Sequence, residues 1–286
     1  MMRVAILGAS GFIGRHLTSA LRARGDEAVA ASLRDPQAAA QAAAGCDAVV
    51  NLAGAPVSVR WTEKAKRAMR TSRVDAPHAF LGALARLERR PAAYISASAI
   101  GYYGTSPSAT FAEDSPPGED ALACLCVAWE ATADEAAALG MRVAKVRTGL
   151  VLGADGGVLG KLVPVFRAGL GGPIASGRQW CSWIHLDDQL GIYLHALDGT
   201  DGVLDATAPE PVTNRDFTRA LGRALHRPTL FPLPAFAAAA LLGEGASILT
   251  EGQRVLPVRT EATGYRFRHP ELDAALRATF RADSAH

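Results

Sequence analysis

Seven residues near the start of the chain, Gly8 to Gly14, have the spacing of a phosphate-binding loop. They read Gly-Ala-Ser-Gly-Phe-Ile-Gly and stand between a short apolar run, 3–7, and a segment of helical character. Glycines in this pattern permit a tight turn and close backbone approach, and the N-terminus of the following helix can receive a pyrophosphate. A tight strand-to-helix turn without a ligand is the alternative. The pattern favours a dinucleotide site, with contacts expected from Gly8, Ser10, Gly11, Phe12, Ile13 and Gly14.

The residues after the second apolar run indicate which dinucleotide would bind. An NAD site commonly has an acidic residue there, about 20 residues beyond the glycines, on the ribose 2′-hydroxyl. Here Ser32 and Arg34 stand at this point, and both can donate hydrogen bonds to the 2′-phosphate of NADP. Two alternatives would remove this preference for NADP. Asp35 could be the acid that binds the ribose, or Arg34 could be an ordinary solvated charge. We expect NADP, with NAD as the alternative.

A third apolar run ends in a motif of small and amide residues. It reads Asn51-Leu52-Ala53-Gly54 and follows Asp47. We expect it to place a carboxamide and small side chains beside the same cofactor. A plain strand-to-loop turn is the other interpretation.

These motifs are separated by alternating strand-like and alanine-rich segments. Predicted strands span 3–7, 28–32, 48–52, 93–96 and 142–147, and predicted helices span 11–24, 36–44, 62–87 and 121–139. Apolar strands that alternate with helices indicate an α/β protein with a Rossmann-like, doubly wound parallel sheet. Such sheets bind ligands at the carboxyl ends of their strands.

Glycines and prolines become frequent after about residue 153, and such residues mark loops and short elements. We therefore expect two parts, an NADP-binding domain over 1–155 and a smaller substrate-side lobe over 156–286. A strand near 202–205 is expected to return to the first domain.

Composition excludes several classes of protein. The chain of 286 residues has 30 basic and 28 acidic side chains without a charged block, which argues against a nucleic-acid partner. The apolar stretch 235–242 is too short for a bilayer, which needs about 20 residues, and no signal-peptide pattern begins the chain. We expect a cytoplasmic protein with a small-molecule substrate, leaving the oligomeric state open. The four cysteines do not have the spacing of metal ligands, so we expect free thiols and no metal site. They are Cys46, Cys124, Cys126 and Cys181.

Further motifs continue through the rest of the chain, at 61–62, 72–74, 95–104, 113–115, 129–130, 182–185, 208–212, 242–244, 252–257 and 264–267. With the glycine loop they resemble an atypical extended short-chain dehydrogenase/reductase of the NAD-dependent epimerase/dehydratase family, in its sugar-nucleotide-epimerase-like subgroup. The resemblance covers essentially the whole chain. It implies a Rossmann-like domain, a small C-terminal lobe and an NADP ligand.

The resemblance also implies where catalysis would occur. The wider family uses a serine or threonine that hydrogen-bonds the substrate oxygen and a Tyr-x-x-x-Lys helix for proton transfer. Ser98 matches the hydroxyl position, although it could instead only cap a strand. The helix positions are Leu122 and Cys126, and no Tyr-x-x-x-Lys occurs anywhere in the sequence.

Other residues near Ser98 are candidates for the missing acid. Tyr102 or Tyr103 could supply a replacement phenol, while Tyr103 equally matches a family residue that only packs. Glu113 is a further acid candidate, against the alternative of a solvated loop charge.

The substrate motif also differs from the family pattern. Sugar-nucleotide members usually have an arginine that holds the diphosphate, and Cys181 stands at that position. Arg178 could reach in, but a substrate other than a sugar nucleotide is the simpler interpretation. Trp180 and Trp183 either line a pocket or pack in the core. His185 and Asp187 are expected to fix a local turn.

Three arginines are further candidates for phosphate or carboxylate contacts, with salt bridges as the alternative: Arg73, Arg147 and Arg254. The leading hypothesis is an NADP-binding oxidoreductase or epimerase for an unidentified small molecule. The rival hypothesis is an NADP(H)-sensing or scaffolding protein that has lost the chemistry.

Overall fold

The computed structural model describes residues 1–283. Its strands, in chain order, are β1 (Arg3–Leu7), β2 (Glu27–Ala31), β3 (Ala48–Asn51), β4 (Ala93–Ala99), β5 (Thr110–Phe111), β6 (Arg142–Thr148), β7 (Leu150–Gly153), β8 (Gly156–Gly157), β9 (Trp180–Cys181), β10 (Trp183–His185), β11 (Gly202–Ala206), β12 (Val212–Thr213) and β13 (Arg254–Val255).

The α-helices surround these strands. They are α1 (Phe12–Ala23), α2 (Pro36–Ala43), α3 (Glu63–Arg70), α4 (Ala76–Leu84), α5 (Ala121–Asp134), α6 (Leu159–Arg167), α7 (Leu186–Leu197), α8 (Asn214–Leu225), α9 (Ala235–Leu242), α10 (Ser247–Thr250), α11 (Val258–Ala262) and α12 (Leu272–Asp283). Short 3₁₀ turns cover Ile100–Tyr103, Glu135–Leu139 and Gly243–Ala246.

Six strands form one parallel sheet in the order β11-β6-β4-β3-β1-β2. All five neighbouring pairs run parallel, and Val4 pairs with both Ala28 and Ala48. The chain reverses its direction of travel across the sheet at β1, which lies between β2 and β3. A crevice at such a reversal is where open α/β sheets bind ligands. The Rossmann-like doubly wound class is confirmed, and the strand expected near 202–205 returns as β11.

Helices cover both faces of this sheet because its strands alternate their side chains between two apolar layers. Val4, Ile6 and Val50 face one layer with residues of α1 and α7. Ala5, Leu7 and other side chains face the opposite layer, which contains residues of α2, α4 and α5. The strands are therefore buried on both sides, as their near-continuous apolar sequences predict.

A third apolar cluster lies outside the sheet layers. It includes Leu152, Trp183, Phe217 and Leu276, and it joins β7 and β10 to α8 and α12. Residues of α7 nevertheless pack in the sheet layer with α1. The 1–155 and 156–286 division stays a prediction, with α7 and β11 belonging to the sheet.

Two local features differ from the predicted elements. The helix expected over 62–87 is interrupted between α3 and α4 by a π-helical turn, Thr71–Asp75. The segment between the predicted strand 93–96 and the predicted helix 121–139 contains β5, which pairs with β13 far along the chain. A two-residue strand has too few residues for a sequence period, so its pairing partner cannot be recognised locally.

In residues 1–283, no helix is both long enough and apolar enough to cross a membrane.

Candidate cofactor and catalytic site

The glycine loop connects β1 to α1 and is tightly packed at its first and last glycines. Gly8 has a φ of +89°, a conformation that favours glycine. A Cβ on Gly14 would lie 2.3 Å from the carbonyl oxygen of Gly8, so only glycine fits there. No side chain caps α1 at Gly11. The loop therefore leaves helix N–H groups free for an anionic ligand such as a pyrophosphate.

The other predicted loop residues surround this cradle. Ser10 is exposed, and Ile13 is partly buried against the core. The ring of Phe12 lies against Gly153 and Gly156 of the β7–β8 hairpin. Phe12 thus links the loop to the hairpin, and its cofactor contact remains a prediction.

The residues after β2 that are candidates for ribose recognition differ in their contacts. The carboxylate of Asp35 accepts a hydrogen bond of 3.0 Å from the Ala38 N–H and caps α2. Arg34 is exposed, and its guanidinium has no partner among residues 1–283, while Ser32 Oγ accepts from the Arg34 N–H at 3.3 Å. Asp35 is therefore engaged in the helix cap, and Arg34 is available to a ligand.

The motif after β3 lies directly against the glycine loop. A Cβ on Gly8 would lie 3.0 Å from the Ala53 nitrogen, and the Leu52 N–H donates to the Leu7 carbonyl oxygen at 2.8 Å. The carboxamide of Asn51 is buried and donates to the Tyr94 hydroxyl at 2.9 Å. It also accepts from the Ala53 N–H at 3.2 Å. Asn51 thus holds the strand end together through its carboxamide, and its contact with the cofactor stays a prediction.

The guanidinium of Arg73 lies against the end of the same motif. Its Nη2 lies 2.9 Å from the place that a Cβ on Gly54 would take, and its Nη1 donates to the Ala55 carbonyl oxygen at 2.9 Å. Its guanidinium lies over the Trp129 ring at 5.0 Å from the centroid. Glycine at position 54 therefore allows the arginine to approach the backbone.

Ser98, at the end of β4, belongs to a buried ion-pair network. Its hydroxyl donates to Oε1 of Glu130 at 2.7 Å. Arg147 donates to both carboxylate oxygens of Glu130, from Nε at 2.7 Å and from Nη2 at 2.9 Å. The three side chains are all buried. In this arrangement the Ser98 hydroxyl is committed to Glu130 and does not point freely to a substrate.

The two tyrosines after Ser98 have different environments. The Tyr103 hydroxyl is buried and donates to Asp205 at 2.7–2.8 Å, and it accepts from Arg147 Nη1 at 2.9 Å. Burial, and then the charge of Asp205, raise the pKa of Tyr103. Tyr102 is only partly buried, and the Arg147 guanidinium lies 3.4 Å from its ring centroid. Tyr102 is the phenol of this pair that is not tied to a carboxylate.

Neither residue at the expected Tyr-x-x-x-Lys positions can transfer a proton. Leu122 packs its side chain on Gly101. Cys126 is buried, and burial raises the pKa of its thiol to about 12. Both side chains fill space on α5, so they do not replace the missing tyrosine and lysine.

Glu113 is neither a solvated loop charge nor a free acid. Its carboxylate is buried and accepts hydrogen bonds from Thr260 N and Oγ1, each at 2.8 Å, and from Arg259 N at 2.9 Å. These donors lie in the first turn of α11, so Glu113 fixes the C-terminal segment to the sheet domain.

The residues proposed for substrate binding have structural contacts. Trp183 is fully buried and donates from Nε1 to the Glu210 carbonyl oxygen at 3.0 Å. Trp180 donates to Pro107 at 3.2 Å, and Arg254 lies over its ring. Cys181 is buried and Arg178 is exposed. His185 caps α7 by accepting from the Asp187 N–H at 3.1 Å. Trp183 therefore belongs to the core, whereas Trp180 is partly accessible.

Two functional-site neighbours are not apparent from the sequence. Asp205, at the end of β11, has no motif that relates it to Tyr103, and Glu130 is conspicuous only through the resemblance. Burial raises the pKa of Asp205 well above its usual value, and the Glu113 charge adds to this effect. The sequence feature that could have indicated Asp205 is its position at the end of the strand predicted near 202–205.

The fold and the glycine crevice define a dinucleotide-binding α/β protein. Residues 4–206 match the family model described as NAD dependent epimerase/dehydratase family, and residues 233–279 match a domain of unknown function, DUF1731. The chain therefore belongs to the NAD-dependent epimerase/dehydratase family.

Relatives match along nearly the whole chain. An epimerase family protein SDR39U1 homolog, chloroplastic, of Arabidopsis thaliana is 41% identical over 97% of this chain and 86% of its own length. The epimerase family protein SDR39U1 of Homo sapiens is 40% identical over 96% of this chain and 99% of its own. A crystal structure of the human protein (isoform2) with NADPH has a TM-score of 0.91 at 37% identity, covering 98% of this chain and 99% of that one.

Proposed function

We propose that this protein binds NADP(H) at the carboxyl end of its sheet. The observation that carries the proposal is the division of roles after β2, where Asp35 caps α2 and Arg34 is left exposed. An acid that already caps a helix is a poor ribose acceptor, whereas a guanidinium fork suits a 2′-phosphate. The human relative solved with NADPH supports the same cofactor.

The chain's own residues fit this cofactor. The cradle between Gly8 and Gly14 would be filled by a Cβ, and the uncapped start of α1 suits a pyrophosphate. Ser32 and Arg34 would hold the 2′-phosphate, while the 51–54 segment would line the crevice. When bound, NADPH supplies a hydride for the reduction of a carbonyl or related group.

For chemistry, we assign the protein to oxidoreductases or epimerases that act on a small molecule. Tyr102 is the proton donor in this proposal because its phenol is not engaged with a carboxylate. The Arg147 guanidinium beside its ring would stabilise developing negative charge on the phenol. Ser98 would position Glu130 and thereby Arg147, in place of the direct substrate contact expected from its strand-end position.

The direct test follows the absorbance of reduced nicotinamide while NADPH and the protein are mixed with a library of small carbonyl compounds. Turnover by the wild type, lost in Tyr102→Phe with NADPH affinity retained, is the expected result. Tyr193→Phe is a matched control, because Tyr193 is a buried core phenol. Tight NADPH binding without turnover of any compound would contradict the enzymatic proposal.

The second candidate function is an NADP(H)-sensing or scaffolding role. It is favoured by the engagement of Ser98 with Glu130 and of Tyr103 with Asp205, together with the inert Leu122 and Cys126. For a sensor, Gly11→Asp would abolish cellular function by placing a carboxylate in the phosphate cradle. Tyr102→Phe would leave that function intact, whereas equal damage from both substitutions would exclude this role.

We also propose that the protein is cytoplasmic and that its binding partner is a small molecule and not a nucleic acid. Cys46, Cys124, Cys126 and Cys181 are all free thiols, which suits a reducing compartment. The chloroplastic relative belongs to another compartment, so fractionation of cells is the relevant measurement.

A further inference from the structure

Arg73 is a partly buried arginine that lacks a carboxylate partner. It lies in the π-helical turn between α3 and α4, an irregularity that is frequent at functional sites. One of its five N–H groups is engaged, in the bond from Nη1 to the Ala55 carbonyl oxygen. No ion pair within residues 1–283 includes Arg73. Its positive charge is therefore not balanced by the part of the chain that the structure describes.

The unpaired N–H groups of Arg73 open onto accessible space. Those Arg73 nitrogens that have no hydrogen-bond partner within residues 1–283 therefore keep some solvent exposure. Burial lowers the pKa of Arg73, in keeping with a cation that has lost water without gaining a counter-ion. A desolvated cation of this kind binds an anion more strongly than a surface arginine does.

Trp129, on α5, provides a second and independent observation. Its indole lies beneath the Arg73 guanidinium, 5.0 Å from ring centroid to Cζ. The side chain is 6% exposed, and its Nε1–H has no acceptor among residues 1–283. Buried N–H groups nearly always have a partner. An indole with an unpartnered N–H thus lies beneath a guanidinium that has one acceptor, the Ala55 carbonyl oxygen, among residues 1–283.

This pair adjoins the crevice at the reversal of strand order. The Arg73 guanidinium contacts the backbone of Gly54, and the preceding Ala53 contacts Gly8 of the glycine loop. A ligand that extends from the glycine cradle over the end of β3 would meet Arg73 next.

We propose that Arg73, with Trp129 beneath it, is an anchor for an anionic oxygen of the bound ligand, either a phosphate or a carboxylate. The inference rests on the proposed NADP(H) site and extends it. The anion comes from one of two sources, a cofactor phosphate or an acidic substrate. Arginine suits both because its planar fork forms two parallel hydrogen bonds with either group.

The test compares the wild type with Arg73→Gln and Arg73→Lys, and uses Arg67→Gln as a control for loss of charge from an exposed α3 position. NADPH affinity is measured by calorimetry. Acetate, succinate, benzoate and inorganic phosphate are then titrated into NADPH-saturated protein while tryptophan fluorescence is recorded. Trp129→Phe identifies the part of the signal that arises from Trp129.

If the anchor holds a cofactor phosphate, Arg73→Gln weakens NADPH binding about tenfold or more, because a charge-assisted bond is lost. Arg73→Lys recovers part of that affinity, and Arg67→Gln changes it by less than about twofold. If the anchor holds an acidic substrate, NADPH binding is unchanged in Arg73→Gln, but the anion-induced change in Trp129 fluorescence disappears. Either result supports the anchor and identifies its source.

Unchanged NADPH affinity together with unchanged anion responses in a folded Arg73→Gln protein overturns the inference, while the NADP(H) proposal survives. Failure of the wild type to bind NADPH instead overturns the proposed function. Should Arg73→Gln not fold, Arg73→Lys serves as the second variant. It keeps the positive charge but cannot form two parallel hydrogen bonds with one anionic group, so a partial loss of the same responses is expected.

Discussion

The hydroxyl of Ser98 donates a hydrogen bond of 2.7 Å to Oε1 of Glu130, in the interior of the sheet domain. Glu130 is simultaneously bound through both oxygens to Arg147. A serine that the family resemblance relates to substrate binding is thereby part of a buried ion-pair network. Because this network also reaches Tyr103 and the ring of Tyr102, it fixes the end of β4 against α5 and β6.

The first prediction concerns this network. Glu130→Gln should destabilise the protein by about 3–5 kcal/mol, because it leaves the Arg147 charge buried without its counter-ion. Ser98→Ala should cost about 1–2 kcal/mol through the lost hydrogen bond. Urea denaturation measures both. The double variant should be less destabilised than the sum of the two, because both side chains belong to one network. Strict additivity would argue that Ser98 and Glu130 do not interact in solution.

The second prediction concerns cofactor selectivity. Arg34→Ala should weaken NADPH binding by about tenfold to a hundredfold, since the bonds to a doubly charged phosphate are lost. NADH binding should be unaffected, because NADH lacks the 2′-phosphate. Calorimetry with both cofactors makes the comparison, and Arg22→Ala on the exposed side of α1 is the matched control. Equal NADPH affinities of the wild type and Arg34→Ala would show that the phosphate is held elsewhere.

The cofactor loop was predictable because its information is local. The glycines, β1 and the first turn of α1 are consecutive, and the predicted strand 3–7 has the same bounds as β1. The sequence leaves the role of Asp35 open, because whether it binds a ribose or caps a helix depends on where α2 starts. Its side chain resolves them by capping α2, a short-range contact that sequence capping rules describe.

The chemistry around Ser98 could not be predicted in the same way. Ser98 and Glu130 are 32 residues apart, and Glu113 meets Thr260 over a separation of 147 residues. Such pairs depend on which strands become neighbours. The resemblance supplied Ser98 as a candidate, but it could not indicate that the hydroxyl is already engaged.

The third prediction uses two glycines with opposite surroundings. Gly14→Ala should destabilise the protein by about 1–3 kcal/mol and abolish NADPH binding, because its Cβ would lie 2.3 Å from the Gly8 carbonyl oxygen. Gly82→Ala in α4 has nothing within 4 Å of its Cβ, and it should stabilise the protein by about 0.5–1 kcal/mol. Thermal unfolding and NADPH titration test the pair. Normal cofactor binding by Gly14→Ala would remove the cradle from the proposed site.

The fourth prediction concerns pH and His185. Burial lowers the pKa of His185, the neighbouring His269 lowers it further, and Asp187 partly offsets both effects. Because the folded-state pKa is below the unfolded-state value of about 6.5, the unfolded chain binds the proton more readily. Stability from this group is therefore complete above the unfolded-state pKa and is lost progressively as the pH falls from that value to the folded-state pKa.

Urea denaturation between about pH 8 and pH 5 should show this decline in the wild type. His185→Asn retains a side-chain acceptor for the Asp187 N–H and removes the titrating ring, so its stability should depend less on pH over this range. His78→Asn removes a largely exposed histidine and should leave the wild-type slope in place. If His185→Asn and the wild type lose stability in parallel as the pH falls, the decline arises from other groups and the buried state of His185 is not its cause.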